Sequence, residues 1–273
     1  MSFAVPLTAA EAAIYESLVI PRYMQTFGEM AVPMLIRYSG SRVAHLGCRT
    51  GYPAEPLAEH LPGCTITGAD SSPAALELAR TKASLLQSIG ASYYHAEGIP
   101  TPLPSGEFSH ALVLHPDGRA GDYGLILSEL FRVLTEGGQM VMALPLRGSF
   151  PALYDLLREF ALRHDLPHFG EAVDAGAAAR PNPETIVSQC ETAGFSEVDV
   201  CVELCAIPFE DGRDFLEDPI SRLVVGPDLR FSLPIDAGVD EGMMYLADAI
   251  SKYWSELGFH LEINIGAVSA RKL

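Results

Sequence analysis

Two short strands end in a glycine turn and an acid, and this pairing constrains the chain most. Val43-Ala44-His45-Leu46 runs into Gly47-Cys48-Arg49-Thr50-Gly51, and the next apolar run, Cys64 to Ala69, ends on Asp70. A glycine turn directly after a strand lets backbone approach a ligand. An acid at the tip of the neighbouring strand is placed to receive two ribose hydroxyls. Both features need parallel strands whose carboxyl ends share one edge of a sheet, so they predict an α/β architecture.

The flanking pattern agrees. Pro53 and Pro56 suit only the first turn of a helix. Ser72 is an N-cap and Pro73 a first helical residue, with Ala75, Leu76, Ala79, Ala83 and Leu86 at helical spacing behind them. Strands follow at about 91–95, 108–114 and 140–144. The helix between the last two carries Leu127, Leu130, Phe131 and Leu134 and is predicted to stop at Gly137-Gly138. Near-continuous apolar strands alternating with helices predict a parallel sheet covered on both faces.

Upstream, about 8–38 reads as a helical lead-in broken by Pro21 and Pro33. Beyond 148 the spacing predicts a helix at about 150–163, a loose Gly/Ala-rich stretch to Pro181, and a helix from Asn182-Pro183 to Gly194. An alternating strand at 198–204 then pairs antiparallel with a last strand across helices near 212–224 and 239–257, which a Gly-Pro loop separates. The expected organisation is a single domain, 1–273. Residues 1–40 form the lead-in or lid, 41–205 and 259–270 the core sheet, and 206–258 a helical insertion.

The net charge of -17, concentrated in acids after about residue 183, is the opposite of what phosphate neutralisation needs, so no nucleic-acid partner is expected. No run approaches the roughly 18 apolar residues of a membrane span. Met1-Ser2-Phe3-Ala4-Val5-Pro6 has no basic, then apolar, leader pattern, and a cytoplasmic location without membrane contact is expected. The five cysteines contain no CxxC pair and predict neither a disulfide framework nor a thiolate zinc site.

The segment 43–51 resembles the first motif of class I S-adenosylmethionine-dependent methyltransferases, an apolar strand, an acid and G-C-G-T-G. Ile66 to Pro73 is similar to their second motif with its ribose-binding acid. His95-Ala96-Glu97-Gly98-Ile99-Pro100 with Ser105-Gly106-Glu107-Phe108 resembles the adenine loop and fourth strand. Glu129 to Gly138 resembles the helix and loop before strand five. The resemblance implies a doubly wound, mostly parallel seven-stranded sheet with the last strand antiparallel. It also implies S-adenosylmethionine or S-adenosylhomocysteine as cofactor and a small-molecule substrate. The implied contacts are His45, Gly47, Cys48, Arg49, Gly51, Asp70, Ser71, His95 and Ala96. The chain departs from the family at four places. His45, His95 and Ser109 stand where acids are usual, and Arg49 replaces the middle glycine. These departures predict a weakened cofactor site. Arg49 would reach the methionine carboxylate. An imidazole of ordinary pKa, about 6.5, at His45 would charge between pH 7.5 and 5.5 and repel the cofactor's ammonium.

His115, in Leu114-His115-Pro116-Asp117, is the candidate general base. His45, His95 and His115 would all end adjacent strands, where a shared metal is an alternative use, although no His-x3-His spacing supports it and no metal is assigned. Cys48, Cys201 and Cys205 read as small hydrophobes rather than nucleophiles. Tyr15, Tyr23, Tyr245, Tyr253 and Trp254 are core or lid aromatics. The functional alternatives are a methyltransferase and a catalytically inactive relative serving as an interaction module. For the second, the acidic C-terminal part offers a surface for a homodimer or a protein partner.

Overall fold

The computed structural model describes residues 5–86, 90–116, 123–256 and 258–273. Seven strands form one sheet: β1 Arg42–Leu46, β2 Thr65–Asp70, β3 Gly90–His95, β4 Phe108–Leu114, β5 Leu134–Pro145, β6 Ser196–Phe209 and β7 Phe259–Arg271. Their spatial order is β3-β2-β1-β4-β5-β7-β6. β1 to β5 are parallel, and β7 runs antiparallel to both β5 and β6. The order reverses beside β1, so the crevice at the carboxyl ends of β1 and β4 is where open α/β sheets take ligands.

Successive strand residues enter opposite layers, as a period of two requires. Val43, Leu112 and Val141 pack with the lead-in helices, while Ala44, Val113 and Met142 pack against α5 (Gly124–Val133) and α8 (Pro183–Thr192). The lead-in runs α1 (Ala9–Ile14), a π-helical segment (Tyr15–Met24), α2 (Gln25–Ala31) and a short 3₁₀ turn (Val32–Met34). Pro21 does not break it as expected. The proline lies inside the wider π segment, a geometry that absorbs the missing donor and the ring. Thr8 and Glu11 close its start with a reciprocal capping box.

Between β1 and β2 lies α3 (Ala54–His60), and between β2 and β3 lies α4 (Pro73–Ala83), capped by Ser72 as its sequence predicts. Four expectations differ. The helix before β5 stops at Val133, and Gly137 belongs to β5 at φ 73°, so the glycine pair marks an irregular strand start rather than a helix end. The stretch read as loose is helical, α6 (Pro151–Arg163) being followed by α7 (Pro167–Ala179), where alanines favour helix over the few glycines. The Gly-Pro loop is helical too. After α9 (Gly212–Glu217), a π segment (Ser221–Val225) continues into α10 (Gly226–Ser232), with Pro227 in the first turn. The helix α11 (Val239–Tyr253) then leads to β7. Finally, β6 outruns its expected bounds by two residues at one end and five at the other.

Among the described residues no helix is long and apolar enough to cross a membrane. One buried network fixes the loop after β3. Glu129 on α5 accepts the Thr101 backbone N–H (2.8 Å), its hydroxyl (2.6 Å), and N–H groups of Arg132 (2.7 and 2.8 Å). Burial would raise the Glu129 pKa, but these bonds outweigh it and hold the carboxyl below its usual value.

Candidate active site

β1 ends at Leu46, and the chain turns at the carboxyl edge of the sheet. Gly47 (φ 63°) and Gly51 (φ 86°) take left-handed backbone that glycine adopts without strain, while Arg49 between them (φ 47°) holds it with a side chain. The N–H groups of Gly47 and Cys48 donate to the Ala69 carbonyl (2.8 and 3.2 Å), which stitches the turn to β2.

The next residue of β2 is Asp70, whose exposure is 0%. Its Oδ2 accepts the backbone N–H of Arg49 (3.0 Å), and its Oδ1 accepts that of Ser72 (2.8 Å). The Arg49 guanidinium sits 3.9 Å from Oδ1 and donates to the Val5 carbonyl at 2.9 Å. It also lies 6.0 Å from the centre of the Tyr15 ring. Residues 5–7 cross beside the acid, because Leu7 exchanges hydrogen bonds with the Ser72 hydroxyl (3.0 and 3.1 Å).

A cleft of about 770 Å³, its open mouth included, is lined by Gly47, Arg49 and Asp70 on one side and by Leu114, His115 and Pro116 on the other. Its remaining walls carry mostly apolar side chains. Val5, Tyr15 and Met24 come from the N-terminal segment, Ile99 and Ile126 from below, and Leu223, Val224 and Pro227 from the segment between β6 and β7. His115 stands where β4 ends, at φ 49°, and its N–H donates to the Ala143 carbonyl (2.7 Å). Its Nε2 shares a 2.9 Å hydrogen bond with the Tyr23 hydroxyl, and the Phe27 ring lies 5.2 Å from its own. Burial lowers the His115 pKa and raises that of Tyr23, so both are neutral near pH 7.

Of the sequence-predicted site residues, the cleft brings together Gly47, Arg49, Asp70 and His115. His45 is 2% exposed and points into a small neighbouring cavity with Tyr15, Ile20, Met24 and Tyr52. Burial lowers its pKa to about 4, so it stays neutral through pH 5.5. The expected charging between pH 7.5 and 5.5 is thereby corrected. Cys48 is buried near Tyr93, with its Sγ packed close over Gly68. Burial pushes its thiol well up, as expected of a small hydrophobe.

Gly51 packs against Ala79 and Tyr93 instead of the cleft. Ser71 is buried, and its carbonyl lies 3.2 Å from His95 Nε2. The His95 side chain is 43% exposed and also lies 3.5 Å from Glu97. Ala96 donates its N–H to the Asp70 carbonyl at 2.9 Å. The three histidines therefore face different partners, and among the described residues no cluster of three His, Cys, Asp or Glu side chains can hold a metal. Asp117 lies outside the described residues.

Sequence reasoning missed the walls of Leu223, Val224 and Pro227. The aromatics it weighed in that segment sit elsewhere, Tyr253 on Glu159 (2.6 Å) and Trp254 against Phe259 (5.4 Å).

The turn and the acid fit an adenosyl ligand in one testable respect. A carboxylate offers about four acceptor positions, and the two backbone N–H groups on Asp70 take two, leaving room for a pair of hydroxyls. Among the described residues, the Arg49 guanidinium approaches that side of the acid, 3.9 Å from Oδ1.

A family profile described as a methyltransferase domain matches residues 43–138. A demethylmenaquinone methyltransferase of Thermus thermophilus is 28% identical over 204 residues, which cover 66% of this chain and 90% of that protein. One of Deinococcus radiodurans is 30% identical over 173 residues, covering 59% and 70% respectively. A phosphoethanolamine N-methyltransferase of Haemonchus contortus, solved with S-adenosylhomocysteine, superposes with a TM-score of 0.58 at 13% identity. That match covers 97% of this chain but only 58% of the other, and it bears on the fold alone.

Proposed function

Since the chain belongs to the class I S-adenosylmethionine-dependent methyltransferases, we propose that it methylates an apolar small molecule held in the cleft above His115. The observation that carries this is the juxtaposition of the Gly47 turn and buried Asp70 with apolar walls in a single cleft. Asp70 would receive the ribose hydroxyls, the backbone of Gly47 to Gly51 would lie along the amino-acid end, and Ile99 would pack near the base. When bound, the cofactor supplies a methyl group on a sulfonium. The protein's share is then alignment and exclusion of water, which in such reactions contributes most of the acceleration.

A nucleophile that gains a methyl sheds a proton, and the neutral imidazole of His115 would take it on Nδ1 while its Nε2–H donates to the Tyr23 hydroxyl. Its Nε2 is held by Tyr23, so the ring is oriented before any substrate arrives. The walls suit a substrate such as demethylmenaquinone, for which both curated relatives are named. One observation favours a weak cofactor site, or the inactive interaction module, as the second reading: the guanidinium of Arg49 on Asp70.

Calorimetric titration with S-adenosylmethionine, followed by transfer of its labelled methyl to demethylmenaquinone, separates the two. Saturable binding without transfer leaves the fold as a binding module, and absence of binding removes the enzymatic reading altogether.

A further inference from the structure

Resting on the proposal that an adenosyl ligand lies across Gly47–Gly51 and Asp70, we infer that Arg49 is a specificity-determining residue for the ligand's carboxylate. In the free chain it neutralises Asp70, and on binding it exchanges that partner for the α-carboxylate of S-adenosylmethionine or S-adenosylhomocysteine.

Four contacts lead there. The Arg49 side chain is 12% exposed and its guanidinium lies 3.9 Å from a carboxylate that is itself fully buried. Among the described residues its other contacts are the Val5 carbonyl and the Tyr15 ring, which carry no net charge. The backbone N–H of the same residue bonds the other Asp70 oxygen, so main chain and side chain close on the acid together. Ribose hydroxyls on Asp70 would approach the Oδ1 side, where the guanidinium lies 3.9 Å away, and binding them would require it to give way.

A guanidinium cannot shed its proton, and a charge left unpaired in a half-dry crevice is strongly unfavourable. The displaced group therefore selects ligands that bring an anion. Arg49 stands in the turn along which the amino-acid end is proposed to lie. A planar carboxylate matches its fork of donors. A ligand with the same adenosyl thioether and no amino-acid end would open Asp70 and offer nothing in return.

The probes are S-adenosylhomocysteine and 5′-methylthioadenosine, titrated by calorimetry into the wild type, Arg49→Gly and Arg49→Lys. Glycine accepts the φ of 47° more readily than arginine, so the variant retains the turn, and its melting midpoint checks this. The wild type should prefer S-adenosylhomocysteine. In Arg49→Gly that preference should shrink by roughly tenfold to a hundredfold, the worth of a charge-assisted hydrogen bond. Affinity for 5′-methylthioadenosine should hold or improve as Asp70 is uncovered, and Arg49→Lys should retain part of the preference. A preference ratio within about twofold across all three chains overturns the role of Arg49 alone, since a lost ion pair moves it further. Absence of binding by either ligand to every chain overturns the adenosyl site itself, and this inference with it.

Discussion

The backbone N–H of Arg49 donates to Oδ2 of Asp70 at 3.0 Å while the guanidinium of the same residue lies 3.9 Å from Oδ1. The acid at the tip of β2 thus has two tasks, since it also tethers Ser72 and with it the start of α4. Asp70→Ala should weaken S-adenosylhomocysteine binding by about 1–3 kcal/mol and, separately, lower stability by about 2–3 kcal/mol, because two backbone donors and a guanidinium lose their acceptor. Denaturant melts of the free protein measure the second, and calorimetry below the melting range measures the first. A variant as stable as the wild type would show that Asp70 does not hold the turn.

Acid should loosen the fold before it protonates the carboxylates. Burial lowers the pKa of both His45 and His110 to about 4, from about 6.5 in an unfolded chain. The unfolded state then binds more protons between those values, so stability is complete above about pH 6.5 and declines as pH falls toward 4. Each histidine should cost about 2 kcal/mol by pH 5. Burial holds His110 neutral against the opposing pull of its hydrogen bond to the Ile36 carbonyl (3.0 Å), while Ser109 shares its other ring nitrogen (3.0 Å) and Tyr38 stacks on it. Urea melts at pH 7.5 and 5 should show the loss, and His110→Gln should reduce its slope without abolishing it, because buried His45 and His115 still contribute. A slope that the substitution leaves unchanged would place the proton uptake elsewhere.

The sheet was legible because each of its strands carries its own local signal. Val43 to Leu46 is apolar apart from His45, Ser72-Pro73 announces α4, and alternation in Phe259 to Ile265 predicts a strand with two unlike faces. Gly137 misled because the same left-handed backbone ends a helix or bends a strand, and only the pairing partner decides which. Asp70 and Gly47 were legible as site residues because local spacing places them. Leu223 and Pro227 were not, since nothing near them in the chain records that the segment before β7 folds back over the end of β4. The depth of His45 was hidden for a related reason. Its parity along β1 sends it toward the lead-in helices, and which helix covers that face is a tertiary fact.

Gly28 on α2 has no room for a side chain. A Cβ there would lie 2.2 Å from the Tyr52 hydroxyl, which donates to the Gln25 carbonyl at 3.1 Å. This close approach seats the lead-in on the segment after the glycine turn and so positions Tyr15, Tyr23 and Met24. Gly28→Ala should destabilise by about 1–3 kcal/mol through overpacking. In a Tyr52→Ala background the same change should be nearly neutral, because the ring it strikes is gone. A double-mutant cycle by chemical denaturation reads the coupling directly, and additive costs would show that α2 accommodates the methyl by shifting.

His115 gives the sharpest test of catalysis. It stands in strained backbone at the end of β4, lines the cleft, and has its Nε2 fixed by Tyr23 at 2.9 Å. A base works in its neutral form, so activity is lost as pH falls through its pKa. Burial lowers that pKa below the ordinary histidine value, which places the loss below about pH 6.5 and leaves the rate flat above it. His115→Gln should reduce kcat for methyl transfer to demethylmenaquinone by about 10²–10⁴-fold, the usual worth of a positioned base. Its S-adenosylmethionine affinity should stay unchanged, because Asp70 and the turn are untouched. Tyr23→Phe should reduce kcat less, by roughly tenfold, since it removes orientation and keeps the imidazole. Rates must be taken where each variant remains folded, given the acid sensitivity argued above. A His115→Gln enzyme within about twofold of wild-type kcat would remove His115 from the chemistry and leave alignment by the cleft as the whole of catalysis.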